Sequence, residues 1–125
     1  MGSKKVVENS PENCQFTGYI EDVRGAFAAG DIFFFPTKNE NEGMALLEAM
    51  ACGKPPVARD IDTFNWLEDG KNCLKAENNF QNLISELKNE EKYRELANNA
   101  EKKSQEFRLE NIGEKLESTY EKILN

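Results

Sequence analysis

Two glutamates eight positions apart, Glu40 and Glu48, flank Gly43 in the segment NENEGMALLEAMACGKP. The segment passes from an acidic loop into an apolar run that predicts a short helix beginning near Gly43. The first amides of a helix, here those of Gly43, Met44 and Ala45, have no partner within the helix and carry its partial positive charge. Such a helix start can hold a phosphate or a hydroxyl-rich ligand, and glycine lets that ligand approach the backbone closely. Glu48 could accept hydrogen bonds from paired hydroxyls, and Glu40 could face the other end of the same ligand.

A purely structural interpretation of these residues is also open. Glu40 and Glu42 would then only complement the helix dipole, while Glu48 turns to solvent or to a lysine. Glu48 stands among apolar residues, and an isolated carboxylate buried among them would be costly. The function of the segment therefore depends on what satisfies Glu48.

The elements around this segment alternate between strands and helices. The predicted strands are CQFTGY, DIFFFP, PPVA and NCLKA, and the last of these follows a loop, RDIDTF, and a small helix that ends at Gly70. We expect Asp22 to cap the helix after the first strand and Asp62 to cap the small helix. This order predicts an α/β fold with a Rossmann-like parallel sheet of about four strands and flanking helices. Because such sheets bind ligands beyond the carboxyl ends of their strands, the loop at residues 37–42 is well placed for binding.

Three segments of the chain follow different patterns. Residues 1–13 read as a helix remnant or an arm, and residues 14–78 as the partial Rossmann-like domain. Residues 79–125 show helical spacing of apolar side chains with charged outer faces, which predicts amphipathic helices that pack on that domain.

Composition excludes several classes of function. The net charge of −7 and a pI near 4.7 make nucleic-acid binding an unsuitable role, because phosphate backbones are repelled. The chain has no histidine, which removes Ser-His-Asp and Cys-His catalysis and imidazole metal sites. Its three cysteines form no CxxC motif and predict buried free thiols. We expect a cytoplasmic protein without a bound cofactor or metal.

The segment DIFFFPTKNENEGMALLEAMACGKPPVARDI resembles the donor-binding core of the retaining GT-B glycosyltransferases of family 4, the glycosyl transferases group 1. That family pattern is an aspartate-led apolar strand ending in Pro-Ser or Pro-Thr, then E-x-x-G-x-x-x-x-E-A-M-A-x-G-x-P-V-V-A. The resemblance continues through FTGYIEDVRGAFAAGD upstream and WLEDGKNCLKAEN downstream. The segment NENEG and the absence of Gly-Gly after PPVA are more like the subgroup that glycosylates diacylglycerol lipids.

The resemblance implies roles for individual residues. Glu40 matches the catalytic-site glutamate that contacts the transferred sugar, and Glu48 matches the one that binds the ribose hydroxyls. The backbone from Gly43 through Met44 and Ala45 matches the segment around the sugar and diphosphate. Tyr19 and Ile20 match the loop near the nucleotide base. The implied reaction moves a hexosyl group, with retention, from UDP-glucose or UDP-galactose to a glycolipid or polysaccharide acceptor.

The resemblance also implies missing parts. We expect two further strands with a basic pair, and an N-terminal acceptor domain, to belong to the same enzyme. The chain would then be inactive alone, would self-associate through exposed sheet edges, and would reach the inner face of the membrane only through the absent part.

Two alternatives stay open. The chain could be a non-catalytic α/β interaction or scaffold domain that keeps the fold without the chemistry. Asp60-Ile61-Asp62 is a D-x-D sequence, the metal motif of a different glycosyltransferase fold, but a loop in which Asp62 caps a helix is the better interpretation. Arg59 beside it would offset this charge or approach a phosphate.

Overall fold

The computed structural model describes residues 8–125, so most of the arm expected at residues 1–13 lies outside the described residues. The described part is an α/β fold with a parallel sheet and flanking helices, which confirms the predicted class. Its elements are α1 (Val23–Ala29), β1 (Phe33–Phe35), α2 (Met44–Ala51), β2 (Pro56–Arg59), a 3-10 helix (Asp62–Phe64), β3 (Leu74–Ala76), α3 (Gln81–Glu86), α4 (Glu90–Gln105) and α5 (Leu109–Leu124).

The three strands pair in chain order, with β2 in the centre. Phe34 is paired with Val57, and Val57 with Leu74, both in parallel register. Because every connection returns the chain to the same end of the sheet, the loops after β1 and β2 leave it side by side. These two neighbouring loops carry the candidate site.

The strand expected at residues 14–19 is absent, so the described sheet has three strands and not about four. Cys14 and Phe16 are exposed, and the segment is irregular after a turn in which the Cys14 amide donates to Pro11 O at 2.9 Å. An extended segment becomes a strand only beside another strand that accepts its backbone hydrogen bonds, and the described residues offer it none.

The sheet is packed on both faces, though unequally. On β2, Ala58 belongs to one buried cluster with Leu46 and Met50 of α2, whereas Val57 belongs to the other cluster with Leu96 of α4. This alternation follows from side chains that point to opposite faces along a strand. The apolar strand β1 is not covered completely, since Phe34 remains 45% exposed.

The capping predictions had different outcomes. Asp22 caps α1, and its carboxylate accepts a hydrogen bond from the Gly25 amide at 2.9 Å. Asp62 does not cap a helix, because it is itself the first residue of the 3-10 helix, whose cap position is Ile61. The expected small helix is thus a single 3-10 turn, which is followed by turns up to Gly70.

The C-terminal helices differ in how they pack. Asn89 caps α4, whose Leu96 and Ala100 are buried beneath the helix. By contrast, α5 has no buried residue, and an apolar row remains exposed along it. At the junction of the two helices, Phe107 packs edge-on against Trp66, with ring centroids 5.0 Å apart.

Candidate functional site

Glu40 lies in the loop between β1 and α2, on the wall of an open cleft of about 700 Å³. The other residues that line this cleft come from the same loop and from the segment after β2; they are Lys38, Asn39, Asn41, Ile61, Asp62 and Thr63. The Glu40 carbonyl accepts a hydrogen bond from Thr63 Oγ1 at 2.9 Å. Its carboxylate Oε1 accepts one from the Asn41 amide at 2.9 Å, so Oε2 has no described partner. The cleft is polar and could receive a hydroxyl-rich ligand.

Gly43 begins α2 from the left-handed region of backbone conformation, at φ 75° and ψ 40°. It is buried, and a Cβ built there would lie 2.7 Å from Cε1 of Phe64. Both the backbone angle and the neighbouring ring therefore require glycine. The space that a side chain would fill is occupied by Phe64.

The first turn of α2 presents the amides of Met44 and Ala45. The Gly43 carbonyl already accepts from the Leu46 and Leu47 amides, at 3.0 and 3.2 Å, and no residue between 8 and 125 accepts from those of Met44 and Ala45. Ala45 is half-buried and Met44 is 55% exposed. This turn can donate to an anion or to hydroxyls.

Glu48 is exposed, so the expectation that it sits as a charge in the middle of the apolar packing is wrong. The buried residues of α2 are Leu46, Ala49 and Met50, at the spacing of one helical face. Glu48 points away from that face, and water can solvate its carboxylate. No ion pair joins Glu48 to another described residue. The structural interpretation offered solvent or a lysine as the partner of Glu48, and its exposure favours solvent.

Glu48 lines a second, more apolar cleft of about 480 Å³ between α1 and α2. The remaining residues of that cleft are Val23, Arg24, Phe27, Ala51 and Cys52. Glu40 and Glu48 thus line two different clefts, and neither of these clefts is lined by both carboxylates. Over the four residues from Met44 to Glu48 the helix rises about 6 Å.

Tyr19 and Ile20 line neither of these clefts. Tyr19 is 93% exposed, and Ile20 is half-buried in the irregular segment before α1. Neither residue thus shares one of these clefts with Glu40 or Glu48.

Two cations hold the carboxyl ends of the strands together. Arg59, at the end of β2, donates from Nε to Pro36 O at 3.1 Å and from Nη1 to the Glu77 carbonyl, thereby joining the segments after β1 and β3. Lys75, on β3, has only 10% of its side chain exposed and lies 3.2 Å from Asp60 Oδ1. Its Nζ also donates to Phe64 O at 3.3 Å.

The two aspartates of the D-x-D sequence do different things. Asp60 pairs with Lys75, whereas Asp62 lines the cleft of Glu40. Within residues 8–125, no three acidic or thiol side chains converge as a metal site would need.

Thr63 and Asp62 line the cleft of Glu40, and the sequence analysis did not predict that they would do so. Thr63 is 23 residues from Glu40, and no spacing rule joins them. The signal that could have found them is topological, because loops after adjacent parallel strands share the carboxyl edge of a sheet.

Residues 2–90 match the family model described as glycosyl transferases group 1. This chain belongs to that family. It is 35% identical, over 126 aligned residues, to the processive diacylglycerol alpha-glucosyltransferase of Acholeplasma laidlawii, with 97% of this chain and 38% of that protein covered. It is also 36% identical, over 69 residues, to the alpha-galactosylglucosyldiacylglycerol synthase of Streptococcus pneumoniae, with 54% and 18% covered.

A solved structure has the same fold. The crystal structure of Anabaena Alr3699/HepE in complex with UDP-glucose superimposes with a TM-score of 0.78 and 26% identity, covering 94% of this chain and 35% of that one. The α/β fold is therefore that of one part of a GT-B glycosyltransferase. The chain spans between about a fifth and two fifths of the length of these proteins.

The relatives are glycolipid enzymes, which agrees with the subgroup that the segment NENEG suggested. None of the helices between residues 8 and 125 combines the length and the apolar character needed to span a bilayer.

Proposed function

We propose that this chain is the donor-binding part of a retaining glycosyltransferase. The enzyme would move a hexosyl group from UDP-glucose or UDP-galactose to a glycolipid acceptor. The observation that carries the proposal is the open first turn of α2 directly after the loop in which Glu40 lines a polar cleft, in a chain of this family. A nucleotide sugar is elongated, and its diphosphate separates the sugar from the ribose. A polar cleft at the loop before α2, and the free amides of the first turn of α2, suit the sugar and the diphosphate of such a ligand.

In this proposal each group has one task. Glu40 holds the transferred sugar and stabilises charge that develops at the reacting carbon. The amides of Met44 and Ala45 donate to the diphosphate, which the open first turn of α2 supports. Glu48 accepts hydrogen bonds from the ribose hydroxyls, and its solvation in the free protein means that no internal ion pair must be broken first. Tyr19 and Ile20 would contact the base in this proposal, although neither of them lines the cleft of Glu48 in the free protein.

The basic pair that would neutralise the diphosphate, and the acceptor site, belong in this proposal to the remaining length of the relatives. We therefore expect the chain alone to bind donor weakly, to transfer no sugar and to expose sheet edges through which it self-associates. The whole enzyme would act in the cytoplasm and would reach the inner face of the membrane only through the part outside this chain. Turnover of UDP-glucose by the purified chain on diacylglycerol vesicles would contradict the expected inactivity.

Donor binding is tested by titrating UDP-glucose into the ¹⁵N-labelled chain and following amide shifts, which report weak affinities. Glu48→Gln should weaken binding about tenfold or more, because the neutral amide oxygen of glutamine accepts hydrogen bonds more weakly than a carboxylate and only one of its two polar atoms can accept. Glu95→Gln makes the same charge change at an exposed position of α4, and this variant should bind UDP-glucose as the unsubstituted chain does.

The alternative is a non-catalytic scaffold domain. It is favoured if the chain shows no saturable shifts around α2, or if Glu48→Gln binds UDP-glucose as tightly as the unsubstituted chain.

A further inference from the structure

The 3-10 helix after β2 touches both ends of the segment from Glu40 to Gly43, which is the second half of the loop between β1 and α2. At one end, Thr63 Oγ1 donates to the Glu40 carbonyl at 2.9 Å. At the other end, the Phe64 ring lies against Gly43, where α2 begins. Two successive residues of a short helix therefore support the whole segment from Glu40 to Gly43.

The 3-10 helix is itself anchored to the sheet. Lys75 of β3, with 10% of its side chain exposed, donates to the Phe64 carbonyl at 3.3 Å and pairs with Asp60 at 3.2 Å. Phe64 is fully buried. The support for Glu40 thus runs from a central part of the fold and not from a free loop.

Glu40 has few other restraints. The loop from Pro36 to Gly43 contains no helix or strand, and the hydrogen bonds within it are local, from Thr37 Oγ1 to Asn39 O and from the Asn41 amide to Glu40. Arg59 ties the start of this loop through Pro36 O, and beyond that residue the bond from Thr63 is the described hydrogen bond that ties the loop backbone to a distant part of the chain. A small displacement of a group that contacts the substrate weakens its interaction strongly, so such a tie matters for binding.

We propose that Thr63 is a positioning residue for Glu40 and that it sets the affinity for the sugar portion of the donor. This inference rests on the proposed donor-binding function. Thr63 acts through its hydroxyl on the Glu40 backbone. It therefore affects recognition of the hexosyl group and leaves recognition of the nucleoside diphosphate, assigned to Glu48 and the start of α2, unchanged.

The test compares Thr63→Val, which keeps the shape and removes the hydroxyl, with Thr63→Ser, which keeps the hydroxyl. Each variant and the unsubstituted chain is titrated with UDP-glucose and, separately, with UDP. We expect Thr63→Val to bind UDP-glucose about fivefold more weakly, as for one lost hydrogen bond, and to bind UDP unchanged. Thr63→Ser should restore the affinity for UDP-glucose.

Amide hydrogen exchange without ligand supplies a second readout. Exchange at residues 38–42 should quicken in Thr63→Val and not in Thr63→Ser, while the buried amides of β2 keep their protection in both variants. That pattern supports a local positioning role and excludes general unfolding.

The other outcomes overturn the inference in distinguishable ways. If the unsubstituted chain binds UDP-glucose and Thr63→Val binds it equally well, the role of Thr63 is wrong and the donor site stands. If Thr63→Val loses affinity for UDP and UDP-glucose alike, Thr63 is merely structural. If the unsubstituted chain binds neither ligand, the proposed function fails, and the role of Thr63 fails with it.

Discussion

The ring of Phe64 packs against the backbone of Gly43, so closely that a methyl group on Gly43 would come within 2.7 Å of Cε1 of the ring. Gly43 also holds a φ of 75°, which side chains disfavour. One glycine thus permits both the start of α2 and the docking of the 3-10 helix beside the loop of Glu40.

Gly43→Ala should lower the free energy of unfolding by about 2–5 kcal/mol, because it adds left-handed backbone strain to an overpacked contact. Chemical denaturation measures this change. Gly70→Ala is the matched control, since Gly70 has a φ of 77° but open space around it. The control should cost only the backbone strain, about 1–2 kcal/mol. Equal losses in the two variants would show that the contact with Phe64 contributes nothing.

Arg59→Met should destabilise the protein by about 1–3 kcal/mol, because the Pro36 and Glu77 carbonyls each lose a charged donor. The guanidinium also lies 5.3 Å from the centre of the Phe80 ring, and that contact is lost as well. Arg59→Lys should recover only part of the loss, since an ammonium cannot reproduce the two-sided geometry of guanidinium.

The matched control for Arg59 is Arg94→Met. Arg94 forms an exposed ion pair with Glu90 at 3.6 Å, and its loss should change stability by no more than about 0.5 kcal/mol. Thermal unfolding of the three variants provides the comparison. If Arg59→Met behaves like the control, Arg59 does not hold the strand ends together.

Burial raises the pKa of the Cys73 thiol to about 12. In the unfolded chain a thiol ionises near a pKa of about 8.5, so the unfolded state loses this proton first. The contribution of Cys73 to stability is therefore complete below pH of about 8.5, and it falls as the pH rises from there toward 12. Cys73→Ala should flatten the alkaline decline of the free energy of unfolding.

Thiol labelling tests the same property. In a chain with Cys14 and Cys52 replaced by serine, Cys73 should react with a disulfide reagent at pH of about 8 only as fast as the protein opens. A chain that retains Cys14 alone, which is exposed, should react at once. Rapid labelling of the folded chain at Cys73 would contradict the assigned burial.

The sequence was most informative where one local pattern decides the structure. The apolar runs of β1 and β2 and the spacing of Leu46, Ala49 and Met50 predict elements that the structure contains. The strand expected at residues 14–19 was wrong for a non-local reason, because its composition suits a strand but no neighbouring strand is described beside it.

The sequence pointed to individual residues of the candidate site, but it did not predict how those residues are arranged. The motif drew attention to Glu40 and Glu48, but reading an apolar run as burial all round misjudged the exposure of Glu48. The buried spacing of Leu46, Ala49 and Met50 would have placed Glu48 on the opposite face. The link between Thr63 and Glu40 depends on the adjacency of two loops, which a sequence reveals only once strand order is known.

The contact between Trp66 and Phe107 gives this protein an intrinsic fluorescence probe. Trp66 is the sole tryptophan, so the emission of the chain reports from a single place, the seam between the β2–β3 connection and the bend from α4 into α5. An event that separates the two rings exposes the indole to water, which shifts its emission to longer wavelength. The packing at this turn can thus be followed in solution without attaching a dye.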